Sequence, residues 1–338
     1  MSYEESLSLK NSIYIDLRSP LEYNTQRIPG STNLYLLSDE ERAVIGKEYV
    51  RSSTKMAKSK GVKFVSNRLP YLFDEILEYS REYRNVILYC DRGGYRSKSI
   101  WSLLNSLDIK VYRLKDGYKG YRKYIRENLD SLIHSITPVV LAGNTGCGKT
   151  KILNILSEKG YPVIDLEGLA NHRGSLLGHV GLESQPSQKM FESLLFEELS
   201  KYQGKYVFME GESSKIGSIN LPKTLSQNLR NAYSIRIDSS MDHRVSNLVE
   251  EYGKPEYRNE LMESVKRLEG YISKENINYL NIQIDLGNLI EPAKLLCERY
   301  YDIKYKKRIF DKTILNEDEE KSARELIKLY EELKTDAN

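Results

Sequence analysis

Val139-Val140-Leu141-Ala142-Gly143-Asn144-Thr145-Gly146-Cys147-Gly148-Lys149-Thr150 is the stretch on which the fold turns. Its first four residues are an apolar, partly β-branched run of the length of a buried strand. The next eight fit G-x-x-x-x-G-K-[ST] at every fixed position, and a helical pattern follows that closes at Gly160. Strand, glycine-rich loop and helix in that order are the context in which backbone amides wrap a diphosphate. Lys149 adds a point charge to that cradle, and the Thr150 hydroxyl is placed to ligate Mg²⁺. The phosphate-binding set is therefore Gly143, Asn144, Thr145, Gly146, Gly148, Lys149 and Thr150, with Cys147 a small filler at a variable position.

Outward from this loop the pattern repeats. Downstream, strands are expected at 162–166, 205–209 and 233–237, with helices at 185–200 and 223–231 between them. Upstream, short strands at 12–16, 86–89 and 110–114 alternate with helices at 69–84 and 97–107. Alternating strands and helices predict parallel sheets covered by helices, an α/β class. Three regions are expected: 1–132, 133–300, and a charged helical C-terminal extension over 301–338.

A second loop with chemistry lies in the upstream half. Cys90-Asp91-Arg92-Gly93-Gly94-Tyr95-Arg96-Ser97 joins the strand at 86–89 to the helix at 97–107. Amides curving round such a loop, together with a helix N-terminus, form an anion nest. With Arg92 and Arg96 beside it, that field favours a thiolate at Cys90, and Gly93 and Gly94 let the backbone turn sharply. The candidate catalytic set is Cys90, Arg92, Gly93, Gly94 and Arg96.

Composition bounds the rest. The chain has 338 residues, 40% of them hydrophobic, enough for two cored domains. Three cysteines cannot form a disulfide framework, and the polar, acid-bearing start MSYEESLSLK shows no targeting segment. No run is long and apolar enough to span a bilayer, so a cytoplasmic protein without a membrane partner is expected. Fifty-one basic against forty-eight acidic residues leave +3, a balance that decides nothing by itself. The distribution says more. Residues 51–68 hold six basic side chains and no acid, and 110–126 hold seven against Asp116 alone, interleaved with Tyr112, Tyr118, Tyr121 and Tyr124. Basic stretches with aromatics between them suit an RNA-binding face, with Lys55, Lys58, Lys60, Lys119, Arg122 and Lys123 the candidate phosphate contacts. A solvated basic face is the plainer reading of the same residues.

The first region resembles the rhodanese family. Asp16-Leu17-Arg18-Ser19-Pro20-Leu21-Glu22-Tyr23 and Ile28-Pro29-Gly30-Ser31-Thr32-Asn33 are similar to its D-x-R-x-x-x-E-[YF] and H-I-P-G-A-x-N elements, with Arg27 in place of the His. Leu114-Lys115-Asp116-Gly117-Tyr118 resembles its late L-x-G-G-[YF] element. Asp16 and Arg18 read as structural. The Cys90-to-Arg96 spacing is also that of cysteine phosphatases, so a phosphatase or sulfurtransferase fused to an ATP-dependent kinase-like domain stays open as the alternative. Tyr89 stands where phosphatases carry His. A GTPase is disfavoured: Asp165-Leu166-Glu167-Gly168 imitates D-x-x-G, but no N-K-x-D follows.

The combination of a rhodanese-like region with a P-loop region resembles the tRNA 2-selenouridine synthase family. The strings that carry this are 90–97, the run Asp165-Leu166-Glu167-Gly168-Leu169-Ala170-Asn171-His172-Arg173-Gly174-Ser175, and Glu210-Gly211-Glu212-Ser213-Ser214-Lys215-Ile216-Gly217. Gln185-Pro186-Ser187-Gln188 and Phe191-Glu192 match a further region. The resemblance implies a rhodanese-like parallel-sheet domain followed by a P-loop NTPase-like domain. It implies a transferase acting on the anticodon arm of tRNA with 2-thiouridine at the wobble position. The resemblance further implies that geranyl diphosphate first alkylates the sulfur at the P-loop and that selenium from selenophosphate then displaces S-geranyl at Cys90. Both are co-substrates, with Mg²⁺ available to Thr150, and an enzyme that makes selenophosphate becomes an expected partner. Asp165, Glu167, His172, Arg173, Gly174, Ser175, Glu210, Glu212 and Ser213 are the further site residues expected in the P-loop domain. No spacing among the histidines suits a metal.

Overall fold

The computed structural model describes residues 1–51, 54–211, 213–304 and 309–336. The chain divides into two compact units, the first comprising Met1–Leu129 with Glu192–Leu194, the second Asp130–Phe191 with Leu195–Asn338.

The first unit is built on a parallel sheet. Strands β1 (Ser12–Asp16), β2 (Thr32–Asn33), β3 (Asn85–Tyr89) and β4 (Tyr112–Arg113) lie in the order β2-β1-β3-β4. The central β3 is buried along its whole length, as expected of the uninterrupted run Val86-Ile87-Leu88-Tyr89. Ile15, Leu72, Ile76, Val86, Leu88, Ile100 and Leu104 form the core between sheet and helices. The helix expected at 69–84 instead begins at Thr54 and runs through Pro70 to Glu82. A further helix, Asp39–Arg51, packs against it through Arg68–Glu41 and Lys60–Glu48 ion pairs.

The second unit carries a five-stranded parallel sheet. Strands β5 (Thr137–Ala142), β6 (Val163–Ile164) and β7 (Tyr206–Glu210) are followed by a small antiparallel hairpin, β8 (Lys215–Ile216) with β9 (Ile219–Asn220), and then by β10 (Tyr233–Asp238) and β11 (Lys312–Leu315). The sheet order is β11-β10-β5-β7-β6. Residues 301–338 are thus not a separate helical extension. β11 pairs in register with β10, and the final helix, Glu319–Asp336, buries Ala323, Leu326 and Leu329 in the same core as Ile152 and Leu156. A second apolar cluster gathers the helices between Met241 and Leu296, with Leu248, Val265, Leu280 and Leu296 at its centre. No helix among the described residues is long and apolar enough to cross a membrane.

Candidate active sites

Cys90 sits at the end of β3, buried, with its Sγ 3.2 Å from the Ser97 hydroxyl. The segment after β4 holds the loop from behind. Tyr118 and Lys119 donate backbone N–H bonds to the carbonyls of Cys90 and Asp91, and the Arg113 guanidinium bonds the Gly93 carbonyl. With those carbonyls engaged, the amides are left over. Among the described residues no backbone N–H from Arg92 to Ser97 reaches a protein acceptor, and Gly94 caps the helix Tyr95–Ser106 without a side-chain bond. An uncapped helix start and a row of unmatched amides are what an anion requires.

The two glycines are unequal. Gly93 has φ +59°, and a Cβ there would stand 1.9 Å from the Lys115 carbonyl oxygen. Gly94 has ordinary φ and open space around it, so the sharp turn depends on Gly93 alone. Gly117, of the late rhodanese-like element, presses so close that a Cβ would lie 2.0 Å from the Cys90 carbonyl oxygen.

Arg96 is held by Glu22, with Nη1 2.6 Å and Nη2 3.3 Å from its carboxylate oxygens. Burial opposes the charge on both partners, but the mutual bond outweighs it, leaving Arg96 raised and Glu22 lowered from their ordinary values. Arg92 differs: its side chain is 77% exposed and pairs loosely with Asp91. Asp16 and Arg18 are structural, as read. Both are fully buried in a forked ion pair at 2.6–3.0 Å, and the Arg18 guanidinium lies 4.3 Å over the Tyr118 ring.

In the second unit the loop Gly143–Thr150 opens the helix Lys149–Glu158 and floors a cleft of about 1400 Å³. Its carbonyls, too, are held from outside. Arg244 Nε donates to Thr145, Asn247 Nδ2 to Gly146, and both Ser239 and Asn316 to Cys147. Among the described residues the N–H groups of Gly146, Gly148 and Thr150 have no protein acceptor. Lys149 Nζ folds onto the Gly143 carbonyl at 3.0 Å. Arg244 is in turn fixed by Asp302 at 2.7 and 2.9 Å. Nothing in the spacing of the sequence announced Arg244, Asn247 or Asn316, which reach the loop from residues about 100 or more positions away.

Of the residues expected around the phosphate loop, Glu167, Arg173, Gly174, Ser175 and Ser213 line the cleft. Arg173 is anchored there by Glu251 at 2.7 Å and by the Val180 carbonyl at 2.6 Å, over the Tyr252 ring. Asp165, His172 and Glu210 do not line it. Asp165 caps the short helix Leu166–Leu169 by accepting the Gly168 N–H at 2.6 Å. Glu210 is fully buried at the end of β7, paired in register with Leu141 of β5, and accepts the Leu166 N–H at 3.0 Å. Burial, then the charges of Asp165 and Glu167, push its carboxyl well above the usual range. His172, expected to orient or neutralise the diphosphate, is buried and stacked on His179; burial, then the charges of His179 and Arg173, lower its pKa. Glu212 lies outside the described residues.

The cleft has a feature that the motifs did not show. One wall is aromatic and apolar: Tyr252, Tyr257, Tyr300, Tyr301, Leu176 and Phe310. Lys149, Lys151, Arg173, Arg236 and Lys254 supply cations around it.

The basic stretches divide. Lys55, Lys58, Lys119 and Lys123 are exposed, and Lys60 is partly covered by Glu48. Arg122 is buried, its guanidinium bonded to Glu192 and to the Ser193 hydroxyl, and so does not face solvent. Tyr118 and Tyr121 are core residues packed edge-to-face and tilted against Tyr3 and one another, not platforms for a base.

Two stretches of the chain match known families. Residues 2–124 match the family described as "Rhodanese-like domain", and residues 136–280 match "tRNA 2-selenouridine synthase AAA domain". The chain is 32% identical to a tRNA 2-selenouridine synthase of Shewanella sediminis over 90% of its own length and 89% of that protein's. The enzyme of the same name from Shewanella piezotolerans is 31% identical, over 87% and 88%. The one from Nitrosomonas europaea is 35% identical over 73% of this chain, a match that spans 65% of the relative's length.

Proposed function

Because this chain belongs to the tRNA 2-selenouridine synthase family, we propose that it replaces sulfur by selenium at a wobble 2-thiouridine of tRNA, in two steps at two loops. The cleft at Gly143–Thr150 takes geranyl diphosphate. The thiouridine sulfur attacks C1 of the allylic chain, the C–O bond to diphosphate breaks, and diphosphate departs into the loop amides and Lys149. Alkylation turns a poor leaving group into a better one. At the Cys90 loop, the selenium of selenophosphate then attacks C2 of the alkylated base, the C–S bond breaks as geranylthiol departs, and water cleaves the remaining Se–P bond, releasing phosphate and 2-selenouridine.

The observation that carries this reading is the aromatic wall beside the phosphate loop. A nucleoside phosphate asks for a base-reading pocket, whereas a prenyl diphosphate asks for cations at one end and apolar surface along the rest. Both are present in one cleft. Lys149 and Arg173 offset charge that develops on the leaving diphosphate, a contribution greatest in the transition state. The Thr150 hydroxyl and the Glu167 carboxylate, both at the cleft, are hard oxygen donors that fit Mg²⁺ accompanying a diphosphate. At the other loop, unmatched amides and Arg96 suit the phosphate of selenophosphate.

Nucleoside mass spectrometry on 2-thiouridine tRNA tests the reading. With both co-substrates 2-selenouridine is expected; with geranyl diphosphate alone the product stops at S-geranyl-2-thiouridine. Selenation that proceeds equally well without geranyl diphosphate would remove the role given to the cleft.

A further inference from the structure

Behind the aromatic wall lies a second space. A partly open apolar cavity of about 40 Å³ lies in the helical cluster, lined by Leu248, Leu261, Val265, Ala293 and Leu296 among others. Tyr252 and Tyr301 line both this cavity and the phosphate-loop cleft, so these two side chains form the partition between them. The cavity also backs directly onto the phosphate loop. A Cβ placed on Gly146 would stand 3.1 Å from Leu248 Cγ.

The lining is hydrocarbon and ring carbon. A water needs two to four polar partners, which such walls do not supply, so the space favours an apolar occupant. Tyr252 and Tyr301 are nearly buried, and burial raises both phenols above their ordinary pKa, so neither brings a charge to the partition. Tyr301 ends a π-helical turn, Cys297–Tyr301, a widened turn of the kind often found where a helix serves a site.

We propose that this cavity receives the far tip of the prenyl chain whose diphosphate sits at Gly143–Thr150, and that Tyr252 and Tyr301 are its threshold. The inference rests on the prenyl-diphosphate reading of the cleft and adds to it the residues that set chain length. At roughly 10–15 Å³ of such space per water-sized group, it holds about three, the branched end of a chain and no more. A five-carbon chain stops short of it, a ten-carbon chain seats its tip, and a fifteen-carbon chain overfills it. Ala293 and Leu261 then act as specificity residues: the small side chain of Ala293 leaves the room, and Leu261 closes it. Each buried methylene is worth roughly a factor of four in affinity.

Calorimetric binding of inorganic diphosphate and of the dimethylallyl, geranyl and farnesyl diphosphates to the full chain tests this. Wild type is expected to bind geranyl diphosphate at least tenfold tighter than dimethylallyl diphosphate. Ala293→Leu fills the cavity and should cut that preference about tenfold. Leu261→Ala enlarges it and should shift the farnesyl-to-geranyl ratio about tenfold toward farnesyl. Inorganic diphosphate should bind all three proteins alike, which also reports that each is folded. Opposite shifts in the two variants cannot come from a shared loss of stability. If wild type prefers geranyl to inorganic diphosphate but neither variant moves the chain-length ratios, the cavity proposal is overturned while the cleft reading stands. If wild type binds geranyl diphosphate no tighter than inorganic diphosphate, the cleft reading itself is wrong.

Discussion

The Glu22 carboxylate grips the Arg96 guanidinium through both of its terminal nitrogens, at 2.6 and 3.3 Å, and so ties the rhodanese-like signature at 16–23 to the loop that carries Cys90. A planar fork on a carboxylate fixes direction as well as charge. Glu22→Gln should leave Arg96 mobile and slow selenation on the order of 100-fold, the cost of about an ångström of misplacement. Geranylation should be unchanged, and Arg96→Lys should be as slow as Glu22→Gln, since an ammonium cannot bridge two oxygens. The pair also contributes stability. Because the folded Glu22 pKa is depressed, that contribution is present above the ordinary carboxylate range and is lost as pH falls through the folded value. Urea denaturation of wild type and variant from pH 7 down to pH 3 should show the two curves converging at the acid end.

Glu210 works in the opposite sense. Its pKa is raised by burial and by Asp165 and Glu167, so its stabilising, protonated form is fully present below the ordinary carboxylate range and is lost as pH rises through the folded value. Glu210→Gln copies the protonated shape without the titration. Denaturation at pH 5 and pH 8 should find wild type losing more stability than the variant across that interval. Equal losses would mean that Glu210 is ionised at both pH values.

The cleft should be able to tell its ligands apart. Geranyl diphosphate is expected to raise the melting temperature more than ATP or GTP at equal concentration, by mass action on the folded state. Mg²⁺ should add to the shift, and Thr150→Val should remove the addition. Tight ATP binding with rapid hydrolysis would favour a rhodanese-fold phosphatase or sulfurtransferase joined to a kinase-like domain.

For tRNA, the exposed lysines are the candidates to contact phosphate. Replacing Lys55, Lys58 and Lys60 together, or Lys119 and Lys123 together, should flatten the salt dependence of binding by about 0.7 to 0.9 per lost contact. Filter-binding titrations from 50 to 300 mM salt would measure it. Arg122→Ala should instead act on stability, because its guanidinium is buried against Glu192 and Ser193. Wild-type salt slopes in both lysine variants would return these stretches to solvated surface.

The sequence showed most of the scaffold and both loops, because each rests on a local signal. Val86–Tyr89 and Val139–Ala142 are unbroken apolar runs, and the glycine-rich loops follow them directly. What was hidden depended on distance. β11 is a four-residue edge strand whose identity comes from its register with β10, some 77 positions earlier. Arg244 and Asn316 serve the phosphate loop from elements remote in the chain. Apolar helical spacing was legible only over 69–84, yet the helix begins at Thr54 and runs through Pro70. Tyr118 and Tyr121 were misread from their basic neighbours: with Ile125 and Leu129 they recur at three- and four-residue spacing, the pattern of a helix face turned inward. Glu22 was quoted in a motif, but only the fold shows that it answers to Arg96.

The division of labour between the loops is tested most directly by nucleoside mass spectrometry of 2-thiouridine tRNA treated with wild type, Cys90→Ser and Lys149→Ala in the presence of geranyl diphosphate and selenophosphate. Cys90→Ser is expected to accumulate S-geranyl-2-thiouridine and form no 2-selenouridine. Lys149→Ala is expected to leave 2-thiouridine unalkylated, yet to selenate tRNA that was geranylated beforehand. Full selenation by Cys90→Ser, or normal geranylation by Lys149→Ala, would contradict the assignment of the two chemistries to these two residues.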